Sequence, residues 1–143
     1  MTTVGDIKII DFKCFSESDG SLVPLEFNKE IPFDAKRVFY VYGVSDKKKR
    51  GEHAHYTTKQ VLVCLNGACE VLCKDGKAER KIILDSPSQG ILIPEMIWDE
   101  QIYASPETIL LVFSSTKYNR DDYIEGWQHY KRLRIKSEDN KNR

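Results

Sequence analysis

Short apolar segments separated by turn residues occur along most of the chain, which predicts a protein built mainly of β-strands. Turn signals recur about every ten residues, a spacing typical of β-sandwiches and barrels. Asn66-Gly67 and Asp75-Gly76 are strong turn signals, and the second indicates a hairpin. We predict strands in the segments 7–12, 21–27, 37–44, 59–67, 68–76, 77–85, 90–94 and 108–115.

A helix is predicted only near the C-terminus. Asn119 or Asp121 could cap a turn that runs towards Tyr130, and basic residues follow where they would complement the helix dipole. The pattern contains no internal repeat and no linker. We therefore predict a single domain over residues 1–135 and a frayed polar tail, KSEDNKNR, over residues 136–143.

Composition and charge narrow the class of protein. The chain has 143 residues, with Lys+Arg and Asp+Glu both at 22, so a broad basic surface for nucleic acid is not expected. No apolar run is long enough to cross a membrane, and the N-terminal MTTVGDIKIIDF lacks the regions of a signal peptide. We expect a cytoplasmic protein that binds neither nucleic acid nor membranes.

The four cysteines do not predict a metal or redox site. Cys14, Cys64, Cys69 and Cys73 form no C-x-x-C pair and have no cluster of histidines nearby. Cys69 and Cys73 share a strand face with Val71. We expect reduced, mostly buried thiols, and a zinc site or catalytic thiol is the alternative.

The segment RGEHAHYTTKQ, residues 50–60, contains two of the three histidines. On a strand, side chains at i and i+2 point to the same face, so His53 and His55 would face one cavity. Two such imidazoles could bind a metal or transfer protons. The spacing to Gln60 and Gly67 resembles the first cupin motif, in which a glutamate ligand usually occupies the position of Gln60.

The remaining metal ligands of a cupin are missing from the sequence. The segment 90–101, GILIPEMIWDEQ, corresponds to the second cupin motif but contains no histidine. A catalytic metal usually needs three protein ligands, so Asp99 would have to complete a facial triad with the histidines. We predict no metal and no cofactor, and interpret His53 and His55 as proton-transfer groups. A purely structural histidine pair is the other alternative.

Five segments together resemble one family, the sugar 3,4-ketoisomerases of the cupin superfamily. They are RVFY (37–40), RGEHAH (50–55), QVLVCLNG (60–67), LDSP (84–87) and DDYIEGW (121–127). The resemblance implies an all-β cupin jelly-roll sandwich or barrel that forms a metal-free homodimer, and we expect segment 7–12 to take part in subunit pairing. It also implies conversion of dTDP-4-keto-6-deoxyglucose to a dTDP-3-keto-6-deoxyhexose, galacto or gluco, for 3-amino and 3-acetamido sugars of surface glycans.

The resemblance also implies catalytic roles. His55 matches the family's catalytic histidine and is expected to remove the C3 proton, with His53 delivering or relaying a proton. The two roles could be exchanged. Tyr40, on a predicted strand, could carry a proton or hold a sugar oxygen, and its alternative is an ordinary packed tyrosine.

Substrate binding is assigned to five further residues. Arg37 is the candidate for the diphosphate, and Arg50, next to Gly51, for an enolate oxygen or phosphate. Trp98 could line the pocket or stack on the nucleotide. Asp99 stands where the family has a basic residue, so it could be a second acid or base or could reorient a histidine. Salt bridges and core packing are the alternatives for the arginines and Trp98.

Four functions thus remain open. Besides the ketoisomerase, the same residues fit a 3,5-epimerase of the same 4-ketosugar, a non-catalytic cupin that binds a nucleotide sugar, and a metal-dependent cupin oxygenase. The lysine run 47–49 could raise the local concentration of anions, although an ordinary solvated loop is the simpler interpretation.

Overall fold

Strands make up most of the structure, a computed structural model that describes residues 1–45 and 48–143. One α-helix, α1 (Trp127–Lys141), follows the last strand of these described ranges. In chain order the strands are β1 (Lys8–Asp11), β2 (Phe15–Glu17), β3 (Gly20–Leu22), β4 (Arg37–Val41), β5 (Lys49–His55), β6 (Gln60–Asn66), β7 (Cys69–Lys74), β8 (Glu79–Leu84), β9 (Gln89–Ile93), β10 (Trp98–Tyr103), β11 (Ile109–Ser114) and β12 (Tyr123–Glu125).

Two five-stranded antiparallel sheets pack face to face. The strand order is β1-β9-β6-β11-β4 in the first sheet and β12-β5-β10-β7-β8 in the second, while β2 and β3 form a separate hairpin. The neighbours in each sheet are mostly distant in sequence, as in a jelly roll. The predicted all-β jelly-roll sandwich with a C-terminal helix is confirmed.

Most predicted strands are present. β1, β4, β6, β7, β8 and β11 lie within predicted segments, and β9 begins one residue before its segment. The Asp75-Gly76 turn joins β7 to β8 as the expected hairpin. The strand predicted over residues 21–27 is wrong, because only the first two of these residues belong to a strand. β5 and β10 are strands that the apolar pattern did not indicate, and both belong to the second sheet.

The core lies between the inner faces of the two sheets. Alternate residues of β7 are fully buried there, so its side-chain pattern follows the period of two expected for a strand. Buried thiols are confirmed for Cys64, Cys69 and Cys73, whereas Cys14 is exposed, and all four are free. The largest members of this core are Tyr103, Leu62, Leu84, Ile91, Ile97 and Leu110.

A second apolar cluster covers the outer face of the first sheet. Val61, Val63 and Phe113 point outward from β6 and β11 and pack under the segment 23–35, with Ile31 fully buried. This explains why the apolar residues after Leu22 do not form a strand: they cover a sheet and do not extend it.

Helix α1 covers the outer face of the second sheet. It begins at Trp127, later than predicted, because Asn119 caps only a short 3-10 turn. Its residues 136–141 are helical, in place of the expected frayed tail. Tyr130 is fully buried and donates its hydroxyl hydrogen to the Met96 carbonyl at 2.7 Å. Within the described ranges, no helix has the length and hydropathy of a membrane span.

Candidate active site

A β-bulge in β5 shapes the strand that carries the histidines. Gly51 and Glu52 both have positive φ, 78° and 58°, and the pairing with β10 shifts register between Asp99 and Glu100. A Cβ on Gly51 would lie 2.8 Å from Asp99 Oδ1, so only glycine fits without displacing that carboxyl group. Beyond the bulge, β5 directs His53 and His55 to the inner face and Ala54 to the outer face.

The two imidazoles lie side by side against one phenol. The ring centroids of His53 and His55 are 5.0 Å apart. The Tyr123 ring lies 4.5 Å from His55 and 5.0 Å from His53, because β12 pairs with β5 and places Tyr123 opposite His55. Three side chains that can exchange protons therefore meet at one point.

Each imidazole has one ring nitrogen next to an acceptor. His53 Nδ1 is 2.9 Å from the Gly51 carbonyl oxygen, which can only accept, so Nδ1 carries the hydrogen of this contact. His55 Nδ1 lies 3.3 Å from Asp122 Oδ2. The angle of this contact is outside hydrogen-bond geometry, and among the described residues neither ring nitrogen of His55 has a hydrogen-bond partner.

The environment of His55 favours the neutral imidazole. Its side chain is buried, and burial, with the neighbouring His53, lowers the pKa of His55 to about 4, although Asp122 opposes the shift. His55 is therefore uncharged at neutral pH and can accept a proton. Asp122 remains ionised: burial alone would raise its pKa, but hydrogen bonds from Thr58 and Thr57 outweigh burial and lower it.

The imidazole of His53 opens into a cleft of about 330 Å³ between the sheets, a size suited to a small ligand. Arg37 Nη1 donates to the Tyr123 hydroxyl at 3.4 Å, and its guanidinium lies over the Phe39 ring at 4.5 Å. The described residues that line the cleft are Arg37, Phe39, Tyr40, Val41, Arg50, Gly51, His53, Gln60, Gln101, Val112 and Tyr123.

Tyr40 lines the cleft but does not pack against the imidazoles, so its predicted contact with a sugar oxygen stays a prediction. Arg37 and Phe39 point inward from β4, and the alternation of the strand directs Tyr40 outward, where it is 64% exposed and stacks on Tyr42. The phenol at the imidazoles belongs to Tyr123, which the sequence reasoning missed. The sequence signal for Tyr123 is its place in DDYIEGW (121–127), one of the five segments that carry the family resemblance.

Trp98 packs in the core, which is the alternative given for it above, and does not line the cleft. It is buried on the outer face of the second sheet, where its ring lies 5.4 Å from Trp127 and 5.6 Å from Tyr130. It therefore anchors α1 and does not face the cleft.

Asp99 lies on the histidine side of β10 but is 2% exposed and is absent from the lining of the cleft in the described residues. It accepts a hydrogen bond from Gln101 Nε2 at 3.0 Å, and burial raises its pKa. Its position under Gly51 is that of a buried neighbour of His53, so direct substrate binding by Asp99 is not supported.

Gln60 and the lysine run have ordinary surroundings. Gln60, at the position of the usual glutamate ligand, donates to Ser114 Oγ at 3.2 Å. Lys49 forms an ion pair with Glu100 at 3.2 Å, and Lys47 lies outside the described residues. Within residues 1–45 and 48–143, no three His, Cys, Asp or Glu side chains are grouped to hold a metal ion, so the facial triad with Asp99 is not formed there.

The low pKa of His55 predicts a pH-dependent stability. The unfolded chain has an ordinary histidine pKa near 6.5, so between pH 6.5 and about 4 it binds a proton that the folded protein does not. Stability should therefore be complete above pH 6.5 and fall by roughly 3 kcal/mol as the pH drops to about 4. Urea unfolding from pH 7.5 to 4.5 measures this, and a His55→Gln variant with the same pH slope would contradict it.

Two facing antiparallel sheets, with a cleft of histidines, a tyrosine and an arginine between them, define a cupin-type jelly-roll protein with an acid–base site. The model of the family described as FdtA, WxcM-like, C-terminal, matches residues 5–135, so the chain belongs to this family. The resemblance to the sugar 3,4-ketoisomerases is thereby confirmed.

Three proteins show the extent of the similarity. TDP-4-oxo-6-deoxy-α-D-glucose-3,4-oxoisomerase of Aneurinibacillus thermoaerophilus is 42% identical over 125 residues, which cover 87% of this chain and 90% of that protein. The sugar 3,4-ketoisomerase QdtA of Thermoanaerobacterium thermosaccharolyticum, solved with TDP, has a TM-score of 0.90 and 35% identity over 94% of this chain and 98% of its own. A 3,4-ketoisomerase of Helicobacter canadensis has a TM-score of 0.88 and 38% identity over 91% of this chain and 98% of its own.

Proposed function

We propose that this protein is a nucleotide-sugar 3,4-ketoisomerase that converts dTDP-4-keto-6-deoxyglucose to a dTDP-3-keto-6-deoxyhexose. The observation that carries the proposal is the pair of imidazoles beside Tyr123, one buried and neutral and the other open to the cleft. Relatives with this enzymatic name, over nearly their whole length, support the substrate class.

The reaction needs only proton transfer. The C4 carbonyl acidifies the C3 proton, and its removal by the histidine pair, in which His55 is the expected base and His53 faces the cleft, gives an enediolate. Movement of a proton between O3 and O4, relayed by His53, and delivery of a proton to C4 complete the shift of the carbonyl. The hydrogens and electrons balance within the sugar, so the reaction requires no external oxidant or reductant.

Two further side chains have positions that suit the intermediate. The Tyr123 ring adjoins both imidazoles, and its hydroxyl accepts a hydrogen bond from Arg37, so the pair can stabilise negative charge on an enediolate oxygen. Arg37 and Arg50 both line the cleft, and a guanidinium can bind the diphosphate through paired hydrogen bonds. Gly51 also lines the cleft, and its lack of a side chain leaves room for Asp99.

The experiment that tests this function is NMR of dTDP-4-keto-6-deoxyglucose with the protein in D2O, without added metal. We expect the 4-keto carbon signal to be replaced by a 3-keto signal, with deuterium at C4. Exchange at C3 and C5 with the 4-keto group retained would instead identify a 3,5-epimerase. Saturation transfer to an unchanged sugar would identify a binding protein, and either result would overturn the proposal.

Substitution of the phenol tests the roles of the two tyrosines. We expect Tyr123→Phe to lower kcat about 10- to 100-fold, because it removes the hydroxyl beside the imidazoles. Tyr40→Phe is the comparison and should lower kcat less than about tenfold, since the Tyr40 phenol is 64% exposed and stacks on Tyr42. Steady-state kinetics of both variants give the two kcat values. An equal loss of kcat in the two variants would contradict the role of Tyr123.

We also propose a cytoplasmic homodimer in which β1 takes part in the contact between subunits. β1 is an edge strand of the first sheet, Ile9 on it is 48% exposed, and exposed edges are commonly covered by pairing. Light scattering at micromolar concentration should give twice the mass of the chain. A uniform monomer would refute the dimer but would leave the site chemistry untouched.

A further inference from the structure

We infer that Asp122 is the positioning residue of His55: it fixes the imidazole with its Nδ1 hydrogen towards the carboxylate and leaves Nε2, which is buried and has no hydrogen-bond partner in the described residues, as the nitrogen that accepts a proton. The carboxylate would also stabilise the imidazolium that forms when His55 takes the proton. This role in turnover rests on the proposed function, whereas the orientation of the imidazole can be measured without substrate.

The position of the carboxylate is fixed from both sides. Asp122 Oδ1 accepts from Thr57 N at 2.9 Å and Thr57 Oγ1 at 2.8 Å, and Oδ2 accepts from Thr58 N at 3.2 Å and from Thr58 Oγ1. The Thr58 hydroxyl has one hydrogen, and a carboxylate only accepts, so Thr116 must donate to Thr58 at 2.6 Å. Four donors thus hold a carboxylate whose side chain is about 10% exposed.

The same segments hold His55. Thr57 and Thr58 follow β5 closely, and Asp122 immediately precedes β12, whose Tyr123 pairs with His55. The main-chain oxygen of Asp122 also accepts from Tyr56 N at 2.9 Å. The carboxylate is therefore hydrogen-bonded to the segment that follows His55 and lies at ion-pair distance from the imidazole, so little reorganisation is needed when charge develops on His55.

The 3.3 Å contact between His55 and Asp122 suits a carboxylate that stabilises the imidazolium during the reaction. The distance between His55 Nδ1 and Asp122 Oδ2 is that of an ion pair, although the angle is not that of a hydrogen bond. Such contacts in free enzymes are often long and tighten when substrate binds. Among the described residues, His53, Tyr123 and Arg37 are the other charged or titratable neighbours of His55. The positive charge of Arg37 disfavours an imidazolium, so Asp122 supplies the opposing charge.

The first test is the tautomer of His55 in the wild-type protein. We would label histidine with ¹⁵N, assign His55 by its loss in His55→Gln, and record the ring nitrogens at pH 7 without ligand. We expect Nδ1 to carry the hydrogen and Nε2 to have the shift of an unprotonated nitrogen. Hydrogen on Nε2 would overturn the inference. This measurement does not depend on the substrate, so its outcome is separate from that of the proposed function.

The second test compares Asp122→Asn with Asp121→Asn. Asp121 is the exposed neighbour, and its substitution leaves the threonine contacts in place. We expect Asp122→Asn to lower kcat on the order of 100-fold with KM changed less than about threefold, and Asp121→Asn to match the wild type. An unchanged kcat in a folded Asp122→Asn protein would overturn the inference. If that variant does not fold, the tautomer of the wild type decides. If the wild type forms no 3-keto product, the proposed function fails, and the tautomer still reports the pairing.

Discussion

Replacing His55 with glutamine is expected to lower kcat about 1,000-fold while KM changes less than about threefold. Glutamine fills much of the same volume but cannot take up a proton at neutral pH. His55 is nearly enclosed between His53 and Tyr123, so no water in the cleft replaces it easily as a base. The rate of 3-keto product formation, measured by NMR or a coupled assay, gives the result.

The control for this variant is His129→Gln. His129 is exposed on α1, away from the other two histidines, and its substitution should leave kcat unchanged. Binding of TDP to His55→Gln, measured by calorimetry, should remain close to that of the wild type. A His55→Gln enzyme that keeps more than a tenth of the wild-type kcat would show that His55 is not the base.

Replacing Gly51 with alanine is expected to lower the free energy of unfolding by about 2–4 kcal/mol. The new Cβ would lie 2.8 Å from Asp99 Oδ1 and 3.0 Å from the main-chain oxygen of the same residue, and φ is +78°. A side chain could move, but the main-chain oxygen belongs to the pairing of β5 with β10 and can move only if the bulge moves.

Gly43→Ala separates the clash from the backbone strain. Gly43 has a similar φ of +69°, but nothing lies within 4 Å of a Cβ built there, so only about 1 kcal/mol should be lost. Urea unfolding of both variants measures the difference. Equal losses at the two positions would mean that Asp99 makes room for a methyl group and that the bulge is not held by close contact.

The strands that the sequence predicts well are those with apolar inner faces. β6, β7 and β11 present runs of Val, Leu, Ile, Phe and Cys, so their apolar pattern is unmistakable. β5 and β10 read KRGEHAH and WDEQIY, and their inner faces carry His, Asp, Gln and Tyr. A strand that forms the wall of a polar site has little apolar alternation, so hydrophobic pattern alone cannot find it.

Site residues could be predicted where the spacing along one strand sets the direction of their side chains. They could not be predicted where the pairing of distant strands brings them together. The i, i+2 spacing of His53 and His55 places both on one face, as observed. Asp122 and Tyr123 come from a distant part of the chain and reach the histidines only because β12 pairs with β5.

The alternation of side chains along a strand shows why the predicted site residues could not all face the cleft. Arg37 and Tyr40 are three residues apart on a strand, so only one of them can point inward. Trp98 and Asp99 are adjacent on β10 and likewise face opposite sides.

The main chain of Met96 links helix α1, on the outer face of the second sheet, to the main chain of His55. Its N–H donates to the His55 carbonyl at 2.8 Å, and its carbonyl accepts from Tyr130 at 2.7 Å and from Arg134 at 3.2 Å. A substitution that displaces α1 is therefore expected to shift β5, the strand that carries His55, even though no residue of α1 contacts the sugar. A map of inactivating mutations in this enzyme should therefore have two centres, one in the cleft and one under the helix on the opposite side of the sheet.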